Sequence, residues 1–149
     1  MPRRLHVAAW VIALLACAGA RTTSPGLDDS RLGPCPSSPN CVSSDAGDPG
    51  HRIPPFELAV PAPEAWNAAR LAVARLPRTR VVAQTPDHLH AECSSALFGF
   101  VDDLELELRG AQGLIAVRSA SRTGYGDLGV NRRRVERLRA LLVEQGVVR

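Results

Sequence analysis

Two stretches of this chain concentrate side chains able to do chemistry. Phe98-Gly-Phe-Val-Asp-Asp103 ends in adjacent carboxylates, and the run from Arg118 to Glu136 sets guanidinium, hydroxyl, phenol and amide groups around the turn Gly124-Tyr125-Gly126. Arginines offer paired N–H donors to carboxylate or phosphate, and a helix N-terminus next to a glycine turn suits anions. Asp102, Asp103, Arg118, Ser121, Arg122, Tyr125 and Asn131 are therefore the candidate ligand-binding residues, with an anionic small molecule or an envelope protein as the partner. A rival reading is a hydrolase-like enzyme using Asp102 or Asp103 as acid or base, or Ser119 or Ser121 as nucleophile. Neighbouring residues on a strand point to opposite faces, which makes the two aspartates a poor proton-sharing pair. A nucleophilic serine also needs a base that this block lacks, and His51, His88 and His90 are distant in sequence. A third reading makes the charged blocks purely structural. No catalytic triad, nucleotide loop or cofactor motif is present.

The elements that must position these groups follow from periodicity. Leu104, Leu106 and Leu108 share one strand face, with Glu105, Glu107 and Arg109 on the other, and the turn Gly110-Ala-Gln-Gly113 leads back into Leu114 to Ala120. Closing that turn with Arg109 opposite Leu114 sets Asp103 opposite Ala120, Glu105 opposite Arg118 and Arg122 diagonal to Asp103. The acid and arginine face reads as a solvent-facing ladder of salt bridges, each contributing about 0.2–1 kcal/mol. Asp102 falls on the leucine face opposite Ser121, where a carboxylate needs Ser121, the backbone of the glycine turn or an arginine. Bracing of the loop and contact with a ligand both remain open for it.

Strands are expected at residues 56–60, 80–85 and 88–94, the last placing Leu89, Ala91 and Cys93 on the core side. A helix from Pro63 to Leu76 should bury Trp66, Ala69, Leu71, Val73 and Leu76. Asp127 should cap a final helix, Leu128 to Gln145, whose buried stripe is Leu128, Asn131, Val135, Leu138 and Leu142. Arg132 and Glu136, four apart, should pair. The fold expected is α+β, a mainly antiparallel sheet of four to five strands with one helix before it and one after.

Arg3 and Arg4 precede an apolar run, Leu5 to Ala16, too short to span a bilayer, which reads as a signal peptide over residues 1–16. Leu14-Leu15-Ala16-Cys17 resembles a bacterial lipobox, so Cys17 is the expected lipid attachment site and the membrane is the expected partner through that anchor. The alternative is ordinary cleavage near Ala20, giving a secreted or periplasmic soluble protein. Residues 17–33 then form a flexible tether and 34–149 one globular domain. Removing Arg3 and Arg4 takes the formal charge from +3 to +1, which argues against nucleic acid as a partner.

Cys35 and Cys41 flank Pro36-Ser-Ser-Pro-Asn40 and, in an oxidising envelope, read as a local disulfide. A metal pair is the weaker reading, because no second Cys pair or spaced histidines complete a zinc set. Neither metal nor cofactor is expected.

These blocks, with Cys35-Pro-Ser-Ser-Pro-Asn-Cys-Val-Ser-Ser44 and Leu89-His-Ala-Glu92, closely resemble the DUF1499 family from about Pro34 to Leu142. The resemblance implies membership of an uncharacterised group and carries no established activity. Cys93 stands where an aromatic or hydroxyl residue is expected in the family, which disfavours a shared thiol chemistry.

Overall fold

Alternation of acid and leucine from Asp103 to Leu108 sets the architecture, because it gives the central strand two chemically opposite faces that each need a cover. The computed structural model describes residues 27–28, 31–95 and 99–149. The expected signal peptide (1–16), Cys17 and most of the tether lie outside the described residues, as does Phe98. In chain order the elements are β1 (Leu27–Asp28), β2 (Arg31–Leu32), β3 (Cys41–Ser43), β4 (Phe56–Glu57), α1 (Ala62–Ala74), β5 (Thr79–Gln84), β6 (His88–Ser94), β7 (Val101–Arg109), β8 (Leu114–Ser121) and α2 (Val130–Glu144).

Strands β3-β8-β7-β6-β5 lie side by side in a six-stranded sheet, and β4 is the sixth strand, pairing with β8 beside Leu114 and Ile115. Every pairing is antiparallel. Between β3 and β4 the edge of β8 is closed by Ser44, whose N–H donates to the Val117 carbonyl (2.8 Å) and whose hydroxyl accepts the Val117 N–H (3.0 Å). The β7–β8 register is the one that the turn implies: Asp102 faces Ser121, Asp103 faces Ala120, Glu105 faces Arg118 and Arg109 faces Leu114. A single 3₁₀ turn, Gly110–Gln112, joins the strands, and Gly113 closes it at φ +67°, where a side chain would be strained. The fold is α+β, with α1 before and α2 after the long antiparallel strands.

Both helices cover the leucine face. Leu89, Ala91 and Cys93 of β6, Leu104 and Leu106 of β7 and Ile115 and Val117 of β8 pack with Trp66, Ala69 and Val73 of α1 and Val135, Leu138 and Leu142 of α2. The Cys93 thiol is buried there without a disulfide partner, as its alternation with Leu89 and Ala91 implies. Cys35 and Cys41 form a disulfide. Among the described residues no helix is long and apolar enough to cross a membrane.

Several expectations need correction. Leu71 is 52% exposed, because α1 presents Ala65, Trp66, Ala69, Ala72 and Val73 inward and turns Leu71 out. Leu128 is 93% exposed and precedes α2, which starts at Val130 after Leu128 (φ +53°) and Gly129 (φ +77°) have left helical geometry. Asp127 still serves the first turn, accepting the N–H of Gly129 and of Asn131 (both 2.8 Å). Glu136 pairs with Arg139 (3.1 Å), whereas Arg132 donates to the carbonyls of Gly50 and Arg52.

The acid face is not open to water. Glu105 is 1% exposed, and Asp103, Glu107 and His90 are also buried. The segment expected to be tether supplies part of the cover: β1 and β2 form a two-stranded hairpin, and β2 packs across β7 and β8. Leu32 is buried, and Arg118 Nη2 donates to the Pro34 carbonyl (3.4 Å). The folded unit thus begins before Pro34. Core truncation should separate the two kinds of leucine: Leu106→Ala is expected to cost about 2–5 kcal/mol in urea unfolding, while Leu71→Ala changes stability by no more than about 0.5 kcal/mol.

Candidate functional site

The candidate residues divide between the two faces of the sheet. On the helix side, Asp102, Ser119 and Ser121 meet the start of α2. Asn131 is fully buried there and uses all its hydrogen-bonding capacity: Oδ1 accepts from Ser119 Oγ and Arg134 Nη1 (2.6 Å each), while the two hydrogens of Nδ2 are shared among Ser121 Oγ (2.9 Å), Asp127 Oδ2 (2.9 Å) and the Asn40 carbonyl (3.1 Å). Arg134 completes the cluster by donating Nη2 to Asp102 Oδ2 (2.6 Å) and Nη1 to Ser119 Oγ (3.1 Å). Of the partners open to Asp102, the structure takes the arginine. Asn40 Nδ2 in turn donates to the Gly124 carbonyl (2.6 Å), which ties the disulfide loop to the glycine turn. Burial would raise the pKa of Asp127, but the amides of Asn131 and Gly129 hold it below the usual carboxylate range.

On the opposite face, Arg122 grips Asp103 with Nε (3.0 Å) and Nη2 (2.8 Å), and Nη2 also donates to Glu92 Oε1 (2.8 Å). His90 Nε2 is 2.7 Å from Asp103 Oδ1. Arg118 Nη1 donates to Glu105 Oε1 (2.8 Å). Glu105 Oε2 and His88 Nε2 lie 3.7 Å apart, and both are buried without a hydrogen bond. Burial alone would raise the pKa of Asp103, yet hydrogen bonds from His90 and Arg122 outweigh it and hold the group at about 2. Tyr125 stands apart, 78% exposed on the glycine turn. Asp102, Ser121 and Asn131 are therefore gathered in one cluster, Asp103 and Arg122 in another, with Arg118 farther along the same face as the latter.

This arrangement bears directly on acid–base chemistry. The two aspartates point to opposite sides of the sheet. The Ser119 hydroxyl donates to Asn131, and among the described residues no imidazole hydrogen-bonds to Ser119 or Ser121. His51 instead meets Asp48 (Nδ1 to Oδ1, 2.9 Å) and the Ser38 carbonyl (3.0 Å). No three His, Cys, Asp or Glu side chains converge to hold a metal among the described residues.

A cleft of about 940 Å³ opens at the other end of the β7–β8 hairpin, between Leu32–Cys35, the 43–48 loop and the turn at 107–112. None of the seven candidate residues lines it. Sequence reasoning missed Arg134, Asn40 and His90 in the clusters and Glu107, Arg109 and Asp45 at the cleft. Arg134 had a signal, since it lies three residues after Asn131 on the same side of α2.

Two measurements check these assignments. Asp102→Asn strands the Arg134 guanidinium in a buried site, so urea unfolding should show a loss of roughly 3–5 kcal/mol. Asp103 is more acidic folded than unfolded, so its contribution is fully present above its ordinary value of 3.8 and disappears as pH falls through about 2. The stability gap between the parent and Asp103→Asn should accordingly be full at pH 5 and close progressively towards pH 2.

No curated protein and no solved structure matches this chain. The family model described as a protein of unknown function, DUF1499, matches residues 31–142, spanning both clusters and the cleft lining, and the chain belongs to that family.

Proposed function

We propose that this protein is a non-enzymatic binding module of the bacterial cell envelope, held to the membrane by lipid on Cys17 and engaging a polar ligand or a protein partner. The observation that carries the reading is the contrast between closed clusters and an open cleft. Asp102, Ser119, Ser121 and Asn131 hydrogen-bond to one another or to Arg134, and the guanidiniums of Arg118, Arg122 and Arg134 face Glu105, Asp103 and Asp102. Donors so committed have little left for an incoming anion, and among the described residues no imidazole hydrogen-bonds to either serine. The cleft has a volume ordinary for a small-molecule site and mixes exposed backbone with charged and apolar side chains. The clusters then act as braces, and the cleft is the contact surface. The lipid anchor rests on Leu14-Leu15-Ala16-Cys17, where a stable attachment takes more than one acyl chain.

Thermal unfolding of the full chain against a panel of anionic metabolites, amines and envelope polymers tests this. A ligand at 100 times its Kd adds about 2.7 kcal/mol and should raise the melting temperature by several degrees. If no compound shifts it and no partner is captured by crosslinking at the cleft, the purely structural reading takes its place.

A further inference from the structure

Away from both clusters, the side chain of His51 is held in a way that only one of its protonation states can satisfy. It sits in the loop between β3 and β4, 14% exposed, and both ring nitrogens face oxygens. Nδ1 is 2.9 and 3.0 Å from Asp48 Oδ1 and Oδ2, and Nε2 is 3.0 Å from the Ser38 carbonyl. An ionised carboxylate and a backbone carbonyl can only accept, whereas a neutral imidazole carries a single N–H. Both contacts are hydrogen bonds at once only when the ring is an imidazolium. In the neutral ring the proton stays with the carboxylate, the stronger acceptor, and the Nε2 lone pair is set against the Ser38 oxygen.

The surroundings favour the charged ring. The Ser38 carbonyl first, and then the Asp48 carboxylate, raise the His51 pKa above its ordinary 6.5, while partial burial and the Arg132 guanidinium act the other way. Hydrogen bonds from His51 hold Asp48 below the usual carboxylate range, so it is ionised wherever the imidazole titrates. Arg132 reaches from α2 to the carbonyls of Gly50 and Arg52, on either side of His51, and is the charge acting on the ring from that helix. Residues 36–40 bring no titratable side chain, and Asp45, in the same loop as His51, is turned to Arg109.

Ser38 belongs to the arm 36–40 that the Cys35–Cys41 disulfide closes, and its Oγ donates to Asn40 Oδ1 (2.8 Å). Asp48 and Cys35 both line the cleft. We propose that His51 is a proton-dependent latch: protonated, it fastens the disulfide arm at Ser38 to Asp48 on the cleft wall, and on losing its Nε2 proton it lets the arm go. The wall between Cys35 and Asp48 is then braced at acidic pH and loosened as pH rises through the midpoint of His51. The latch needs no ligand, so it stands or falls apart from the role of the cleft as a binding surface.

An NMR titration of the full chain from about pH 5 to about pH 9 reads both halves of the device. The His51 ring should titrate above 6.5. Through the same midpoint the amide order parameters of Ser37 and Ser38 should fall, from about 0.85 towards about 0.6. Asp48→Asn should lower the ring midpoint, and in His51→Gln the arm should no longer respond to pH. A group more basic folded than unfolded contributes fully below its unfolded value, and that contribution is lost as pH rises through the folded one. His51→Gln should therefore raise the unfolding equilibrium constant roughly threefold or more at about pH 5.5, and the gap should narrow as the parent deprotonates. A ring midpoint at or below 6.5 overturns the latch. So do order parameters that hold still through the His51 titration, or an arm that still responds to pH in His51→Gln.

Discussion

The structure depends on the pairing of β7 with β8 in a single register. A shift of one residue would carry Leu104 and Leu106 into the arginine-bearing face and Glu105 into the apolar core. Because both faces are buried, that error is penalised twice, by lost apolar burial and by uncompensated charge. Buried ion pairs add little net stability compared with apolar packing, but a stranded partner is expensive. The Glu105–Arg118 and Asp103–Arg122 contacts thus act mainly as specification. They make the correct alignment the one in which every guanidinium finds its acid.

From that central pair the other elements follow. The leucine face requires α1 and α2, and the approach of α2 brings a polar helix start, Asp127 to Arg134, down onto the end of the same hairpin. Asn131 makes this junction tolerable by bridging β8, the capping aspartate and the disulfide loop at once. At the far end, the segment Leu32–Cys35 crosses the charged face and leaves the cleft between itself and the β7–β8 turn. Bracing and opening are thus at opposite ends of one hairpin.

Much of this was legible from residue order. Alternation around a turn bounded by Gly110 and Gly113 sets the hairpin register, and with it the partners of Asp103 and Glu105. The reach of Asp127 to the first-turn amides follows from its position before an apolar stripe. What covered the acids was not legible, because alternating polar residues on an antiparallel strand ordinarily face water. The covering piece, β2 and the residues up to Pro34, lies in a stretch whose polar, glycine-containing composition reads as linker. Leu128 fits a helical stripe by spacing alone, and the left-handed backbone at Leu128 and Gly129 that excludes it depends on the hydrogen bonds of Asp127. Arg134 reads as one more arginine on a helix rich in them, until the depth of Asp102 gives it a partner.

The Cys35–Cys41 crosslink has a mechanical consequence. Tension applied to the amino-terminal side of the domain would pass along Leu32 and Pro34 to Cys35, where the sulfur bridge leads into β3, the edge strand beside β8. Residues 36–40 form the longer arm of that ring, in parallel with the bridge. Asn40, on which both the glycine turn and Asn131 lean, is on that longer arm, so the bridge shares any strain entering at Cys35 before it reaches those contacts.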